Sequence, residues 1–462
     1  MDARTRRLLE GPIAPTLLRL AWPNVLVMGA QAGAGLVETW FIGRLGTDAL
    51  AGMALAFPVV MLMQMVSNGA MGGGIASAVA RALGARRQAA ADAVVRHALA
   101  IALAFGLAFA AAVLGGGRWL YGRMGGEGGS LAAALAYSDV VFAGAVLVWV
   151  FNALAAVLRG AGNMAVPAAV SCVGTLCLLP LSPLLIFGWG PLPGLGIAGG
   201  GWALLAYYAG GSAVLAAYLL AGRAPVRPRR GPLQAPLLRD ILRVGLLGAV
   251  STFATNLTIG FATAQVGAFG PAAIAGYGTA VRLEYLLVPL VFGLGAPLVA
   301  MVGACMGAGL HVRALQATWT GAALAMALSG AVGLGAALFP QAWLGLFASD
   351  PEMIAAGSRY LRAVGPFYAF FGLGLVLYFA SQGAGRLAWP VAGNLARLAV
   401  AAGGGWTALR LGGGLGAVFA AQAAALAVYG LLNAGAVAGG AWFGRPGWPC
   451  GTAALMRRLA RT

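Results

Sequence analysis

The chain has 462 residues, of which 61% are hydrophobic and only 9% charged, and its formal net charge is +18. A soluble protein carries about 25% charged residues, so this composition excludes a soluble globular domain and predicts a polytopic membrane protein. The arginines fall mainly in short loops and tails, where membrane topology explains them, and we expect no nucleic-acid partner.

Twelve apolar segments are long enough to cross a bilayer as helices, for which roughly 20 residues are required. Six precede the proline- and arginine-rich segment GRAPVRPRRGPLQAP at 222–236, and six follow it. The predicted spans are 17–43, 50–80, 91–115, 132–158, 164–188, 195–221, 238–268, 273–304, 314–338, 355–381, 387–410 and 414–442. The pattern predicts an all-α membrane protein with twelve transmembrane helices.

The arginine-rich segments alternate with arginine-poor loops, and the positive-inside rule makes the former cytoplasmic. An even number of spans places both termini on that same side. We therefore expect a multi-pass protein of the cell inner (plasma) membrane with both termini cytoplasmic. The predicted organisation is a cytoplasmic tail at 1–16, a first lobe at 17–221, a cytoplasmic linker at 222–236, a second lobe at 237–442 and a basic cytoplasmic tail at 443–462.

Two pairs of segments repeat at nearly the same spacing. LGTDALAGMALAFPV at 45–59 matches FGPAAIAGYGTAVRL at 269–283, and RGAGNMAVP at 159–167 matches QGAGRLAWP at 382–390. The chain is therefore expected to be a 6+6 tandem repeat of two pseudo-symmetric six-helix lobes. Transporters built from such repeats hold the substrate path between the repeats and move them for alternating access.

The order of motifs from about residue 15 to 440 resembles the multidrug and toxic compound extrusion (MATE) family of secondary transporters. The matching features are VETWFIGRLG followed by DALAG, the GAR and GAG turns after the second and eighth helices, and LRGAGN and SQGAG before the fifth and eleventh. The resemblance implies a V-shaped pair of six-helix bundles that exports bulky, often cationic organic molecules against inward H⁺ or Na⁺.

The sequence departs from that family's ion-site pattern. The first-helix acid, commonly aspartate, is Glu38 here, and the asparagine and aspartate that many members carry in the fifth helix fall on Leu178 and Ser182. The second-lobe acids of the seventh and tenth helices are also missing, with Thr255 at about the first of these positions. The family's coupling site therefore cannot be carried over whole.

Three polar residues, Asn24, Gln31 and Glu38, recur every seventh position in the first span and share one helix face. Lipid cannot hydrate this stripe, so we expect it to face protein or a water-filled cavity. A carboxylate buried there must be paired or protonated. We predict Glu38, with Gln31 and Asn24, as ion-coupling residues; the alternative is a structural acid paired with Arg44 or another arginine.

Glu284 is a second carboxylate well inside an apolar span, and it is the other ion-coupling candidate. Arg282 lies two residues away and does not face it on a helix. The sequence leaves a proton site or substrate-cation contact open against a structural ion pair.

Polar, methionine and aromatic side chains on other helices are candidates for lining a substrate cavity, because methionine adapts its shape and aromatic faces attract cations. The candidates are Gln64, Asn68, Met61, Met65, Asn256, Thr255, Phe367, Tyr368 and Phe371. The alternative for each is ordinary packing or a helix–helix hydrogen bond.

These features predict a proton-driven antiporter that exports amphipathic, often cationic organic compounds by alternating access. H⁺ is favoured over Na⁺ because the fifth-helix amide and carboxylate are absent. The four cysteines and two histidines lack metal-ligand spacing, so we expect no metal, no cofactor besides the coupling ion and no enzymatic activity. The expected partners are the lipid bilayer and small organic substrates, with no obligate protein partner and a monomeric state.

Three other functions stay open. One is a lipid or polysaccharide-precursor flippase of related architecture, which would need more basic residues inside its cavity. Another is a membrane-embedded enzyme, which would need clustered His, Asp or Ser groups at the membrane face. The third is a passive channel, which could not accumulate a solute against its gradient.

Overall fold

The computed structural model describes residues 2–189, 192–347 and 350–443. The predicted basic tail, apart from its first residue, lies outside the described residues. Seventeen α-helices are described. Helices α1 to α9 are Ala3–Glu10, Ile13–Gly43, Thr47–Gln64, Gly72–Gly84, Gln88–Arg123, Gly128–Ala143, Ala145–Gly160, Ala165–Phe187 and Ile197–Leu220. Helices α10 to α17 are Ala235–Gly267, Pro271–Gly307, His311–Leu338, Pro340–Leu344, Pro351–Val364, Tyr368–Ala384, Ala388–Arg410 and Leu415–Ala438.

Each predicted span coincides with a helix or a continuous pair of helices. Within the described ranges, ten helices are long and apolar enough to cross a membrane, and the bent pair α6–α7 makes eleven. The remaining predicted span, 387–410, is α16, which has 23 residues and carries Arg397, Arg410 and several glycines, so its hydropathy is lower. A feature that the spans do not predict is a small antiparallel pairing of Gly188–Trp189 with Leu192–Pro193 between α8 and α9.

Two spans are broken at corresponding places in the two halves. Helices α6 and α7 meet at an angle of 50° around Gly144, where an added Cβ would lie 2.3 Å from a side-chain carbon of Leu205. Helices α14 and α15 join through a 3₁₀ turn at Gly365–Phe367, where Pro366 has no N–H for the helical ladder. A third irregularity is a π-helical segment, Met65–Met71, between α3 and α4.

The chain divides into two compact units. The first unit comprises Met1–Arg6 and Trp22–Gly245, and the second comprises Arg7–Ala21 and Leu246–Thr462. The division falls inside α1, α2 and α10, and the linker lies wholly within the first unit. The lobe boundaries drawn from the sequence repeat stay a prediction.

The linker is held along α5 mainly through its backbone, and Arg229 Nε adds a side-chain contact to Asp92 Oδ2 at 3.3 Å. Arg96 on α5 donates to the carbonyls of Arg229 and Pro232, at 2.8 and 2.6 Å. Its neighbour His97 is fully buried and accepts from the amide of Gln234 at 2.7 Å. Asp92, one turn earlier, accepts from the amide N–H of the linker's Arg227 at 2.9 Å. These contacts fix the path of 227–234 along the start of α5.

Candidate functional site

In the first unit, Glu38 lies near the end of α2 with a half-buried side chain. Its Oε1 atom is buried, and no hydrogen-bond partner or arginine counter-ion for it occurs in the part of the chain that the structure describes. Arg44, the alternative partner, instead places its guanidinium 4.5 Å from the ring centre of Trp40. The ion pair that would make Glu38 a structural acid is therefore not formed with Arg44.

Residues of α6 and α9 lie beside this carboxylate. Gly200 on α9 lies against it, since a Cβ built there would be 3.3 Å from Glu38 Oε1 and 3.6 Å from a ring carbon of Tyr137 on α6. Tyr208, also on α9, lies within electrostatic range of Glu38, and its hydroxyl is hydrogen-bonded by the amide of Gln64 on α3. Tyr208 thus contacts Gln64, a predicted cavity residue, and lies near Glu38, a predicted ion-coupling residue.

The other two members of the predicted stripe lie in different surroundings. Asn24 is buried, and its amide nitrogen has no partner among the described residues. Gln31 is exposed and lies near the hydroxyl of Tyr207, which also faces Ser171 and Thr175 of α8. The contacts described do not join Asn24, Gln31 and Glu38 directly, so their shared role in ion coupling stays a prediction.

Helix α8 supplies few side chains that could bind an ion. Leu178 and Ser182 stand where many family members carry an amide and a carboxylate, and both are buried. The Ser182 hydroxyl finds no hydrogen-bond partner in the described ranges. The site therefore contains one carboxylate, and no group of three or more His, Cys, Asp or Glu able to hold a metal ion occurs within the described residues.

The π-helical segment of the first unit holds a second polar cluster. Asn68 accepts from Arg159 of α7 at 2.7 Å, and Asn152 of α7 donates to Ser67 at 2.7 Å. Such π segments occur frequently at functional sites. Arg159 is a residue that the sequence reasoning missed, because its RGAG motif served only as a sign of the repeat and of the family resemblance. Met61 on α3 and Met65 at the start of the π-helical segment are 37% and 39% exposed, so they do not belong to the packed core.

In the second unit, Glu284 on α11 is part of a buried ion pair. Its Oε1 lies 2.9 Å from a guanidinium nitrogen of Arg397 on α16, and the side chains are 11% and 6% exposed. Its Oε2 accepts a hydrogen bond from the hydroxyl of Tyr360 on α14 at 3.2 Å. Of the alternatives that the sequence left open for Glu284, the structure contains the ion pair. Its partner Arg397 was missed because it lies on a helix remote in sequence.

Aromatic rings and a small cavity flank this pair. The Arg397 guanidinium carbon lies 5.3 Å from the ring centre of Phe371 and 5.8 Å from that of Tyr429. The adjoining cavity has room for about one water molecule. It is lined by Thr258, Ile259, Ala262, Tyr277, Val281, Glu284, Tyr360, Val364, Arg397, Gln422 and Leu426. Arg397 Nε and Gln422 Nε2 are buried without a hydrogen-bond partner among the residues described.

The remaining cavity candidates of the second unit make contacts that belong to helix packing. Thr255 accepts from the amide of Asn394 on α16 at 2.9 Å, and the exposed Asn256 donates to the Thr252 carbonyl of its own helix at 2.9 Å. Tyr368 and Phe371 are buried in the core cluster of this unit, with the half-buried Phe367 packed against it. A substrate-lining role for these residues stays a prediction.

Comparison with known families identifies one match over most of the chain. The family model described as MatE matches residues 23–184 and 249–406. Among curated proteins, the "FAD transporter" of Shewanella oneidensis is 27% identical over 382 residues, which are 81% of this chain and 82% of that protein. The "Probable multidrug resistance protein NorM" of Thermotoga maritima is 25% identical over 382 residues, or 82% of each chain.

Solved structures show the same fold. A structure described as "Crystal structure of MATE in complex with MaD3S" superposes with a TM-score of 0.85 at 25% identity and covers 94% of this chain and 97% of that one. Another, "Crystal structure of MATE in the bent conformation", gives a TM-score of 0.86 at 24% identity with full coverage of both chains. The predicted all-α membrane architecture, with twelve helices in two lobes, is confirmed.

Proposed function

Because the chain belongs to the MatE family of membrane transporters, we propose that it is a proton-driven antiporter that exports amphipathic, often cationic organic compounds by alternating access. The observation that carries the proposal is the carboxyl group of Glu38, which has no counter-ion among the described residues. An isolated carboxyl group in an apolar site is stable with a proton and costly without one. Loading and releasing that proton would couple ion movement to the transport cycle.

The surroundings of Glu38 favour H⁺ over Na⁺ as the coupling ion. Hard cations are bound by several oxygen ligands at once. Gly200 and Tyr137 lie beside Glu38 Oε1, Tyr208 lies within electrostatic range, and α8 carries Leu178 where many family members carry an amide. A proton needs a single oxygen and no such shell, so this site suits a proton.

The relatives widen the range of compounds to be tested. The multidrug names of several relatives support organic xenobiotics as substrates, and the name of the Shewanella oneidensis protein adds flavin dinucleotide as a second candidate class. We propose export across the cell inner membrane with both termini cytoplasmic. The proposal requires the bilayer and small organic substrates as partners, the coupling ion as its sole cofactor, a monomer, and no enzymatic step.

The test is efflux of a fluorescent cationic dye from energised cells that lack their own pumps, with and without an uncoupler. Native protein is compared with Glu38→Gln and with Glu352→Gln, a matched control at an exposed position in the first turn of α14. We expect uncoupler-sensitive efflux from the native protein and the control, and none from Glu38→Gln. Unchanged efflux from Glu38→Gln would remove this residue from the coupling site. Efflux that requires Na⁺ and ignores the pH gradient would contradict proton coupling. FAD release from the same cells tests the second candidate substrate.

A further inference from the structure

We propose that Arg397 is a tethered substitute for a monovalent cation in the second unit. Its guanidinium occupies a cation site built around Glu284, so this site takes no mobile ion in the native protein. Removing the guanidinium would convert the site into one that binds Na⁺. The inference concerns the second unit alone and holds whether or not Glu38 carries the coupling proton.

The guanidinium is surrounded as a bound cation would be. One oxygen of Glu284 accepts from it at 2.9 Å, and the faces of Phe371 and Tyr429 lie at 5.3 and 5.8 Å. Carboxylates and aromatic faces are the groups that attract cations in a protein interior. The Tyr360 hydroxyl satisfies the other carboxylate oxygen. Arg397 is therefore held mainly by its charge, while its Nε atom makes no hydrogen bond within the described part of the chain.

One positive group, the Arg397 guanidinium, balances the negative charge of Glu284. Among the described residues of the second unit, Glu284 is the carboxylate that lies inside a membrane-spanning helix. Asp350 and Glu352 lie at the start of α14, and Glu10 ends the short helix α1. One buried negative charge next to one buried positive charge needs no further ion. Without Arg397, a single monovalent cation would restore the balance.

Oxygen atoms that suit a small hard cation already line the space beside Arg397. They belong to Glu284, Tyr360, Thr258 and Gln422, all of which face the adjoining cavity. Thr258 donates its hydroxyl proton to the carbonyl of Ala254 at 2.8 Å, so its oxygen lone pairs remain able to accept. Truncating Arg397 would merge the volume of its side chain with the cavity. The result would be a pocket with a carboxylate and several neutral oxygens, the ligand set of hard cations.

The energetics supply a driving force for ion uptake. Breaking a buried ion pair by removing one partner is strongly unfavourable because it strands the other charge. Replacing both partners is much better tolerated. A variant without Arg397 therefore gains stability from any cation that neutralises Glu284, and binding to the folded state raises its thermal stability.

The test measures thermal unfolding of purified full-length protein and ²²Na⁺ binding, in NaCl and in choline chloride of equal ionic strength. Alkaline conditions are used because a proton competes least there. The variants are Arg397→Ala, Arg397→Gln, Arg397→Lys, Glu284→Gln, the double variant Glu284→Gln/Arg397→Ala, and Arg410→Ala. The last is a matched control that removes an exposed arginine from the end of the same helix.

We expect saturable ²²Na⁺ binding and a Na⁺-specific rise in Tm for Arg397→Ala. The native protein, Arg397→Lys, Arg410→Ala and the double variant should show no Na⁺-specific change attributable to this site. Equal responses of Arg397→Ala and the double variant would overturn the proposal, as would Na⁺ binding by the native protein that disappears in Glu284→Gln. Each variant is purified in both salts, and Arg397→Gln is tested beside Arg397→Ala. The proposal would likewise be overturned if Arg397→Ala and Arg397→Gln both failed to fold in either salt while the double variant folded.

Discussion

Glu38 in the first unit lies near the end of α2 and Glu284 in the second lies within α11, and their surroundings are opposite. Glu38 has no counter-ion in the described structure, whereas Glu284 is paired with Arg397 at 2.9 Å. By the sequence repeat, Glu38 corresponds to Ala262, which lines the cavity beside Glu284. The two halves therefore keep a carboxylate at comparable positions of the repeat but supply it from different helices. The first arrangement suits exchange of a proton, and the second suits retention of a fixed charge.

The tyrosines beside the carboxylates extend this correspondence. At the spacing of the repeat, Tyr137 next to Glu38 matches Tyr360, which donates to Glu284. The breaks at Gly144 and at Gly365–Phe367 correspond in the same way. A shared framework thus holds two different electrostatic environments, and the difference between the halves rests mainly on Arg397.

The largest expected effect comes from neutralising each carboxylate in turn. Glu284→Gln strands the buried Arg397 charge and should lower the free energy of unfolding by about 3 to 5 kcal/mol. Glu38→Gln breaks no ion pair and should change that free energy by less than about 1 kcal/mol. Denaturant titration of the purified variants gives both values. Equal losses would show that Glu38 has a counter-ion in the membrane and would remove the contrast between the units.

A smaller effect is expected from the paired tyrosines. Tyr360→Phe removes a hydrogen bond to a charged carboxylate and should cost about 1.5 to 3 kcal/mol of stability. Tyr137→Phe lies beside a carboxyl group to which no hydrogen bond is described, so it should cost less than about 1 kcal/mol. The same titration compares them. A larger loss for Tyr137→Phe would mean that the Glu38 site is held by hydrogen bonds rather than by packing.

The smallest expected effect concerns Gly200. Gly200→Ala would place a Cβ 3.3 Å from Glu38 Oε1, so the carboxyl group must shift by a few tenths of an ångström. We expect dye efflux to fall a few-fold, while overall stability changes by no more than about 1 kcal/mol. Gly210→Ala on the same helix is the control, since an added Cβ there meets nothing within 4 Å. Equal efflux from both variants would show that the space beside Glu38 does not limit transport.

Much of the fold could be predicted from the sequence because membrane spans are recognised by their length and apolar composition. Each of the twelve predicted spans coincides with a helix or a pair of helices in the structure. The sequence repeat indicates the two halves. The breaks at Gly144 and in Met65–Met71 could not be predicted, because they arise from close approach of other helices and from local hydrogen bonding.

The surroundings of the two candidate carboxylates could be predicted less well from the sequence. Glu38 and Glu284 stood out as carboxylates in apolar runs, but the arginine that pairs with one of them is 113 residues away from it. Side-chain spacing can exclude a neighbour such as Arg282, yet it cannot identify a partner on another helix. An arginine in the middle of a predicted span was the available signal, since such a charge requires an opposite one nearby.

The docking of the linker on α5 relies largely on main-chain groups of the linker. Arg96 bonds two carbonyls and His97 accepts from one amide, and these groups do not depend on the identity of the linker side chains. Two linker side chains add to the docking, since Arg229 pairs with Asp92 at 3.3 Å and Val226 is buried. Substitution at the exposed linker positions should therefore leave this connection intact, whereas an insertion or deletion would move the carbonyls out of register. Those exposed positions are a convenient place to label the protein.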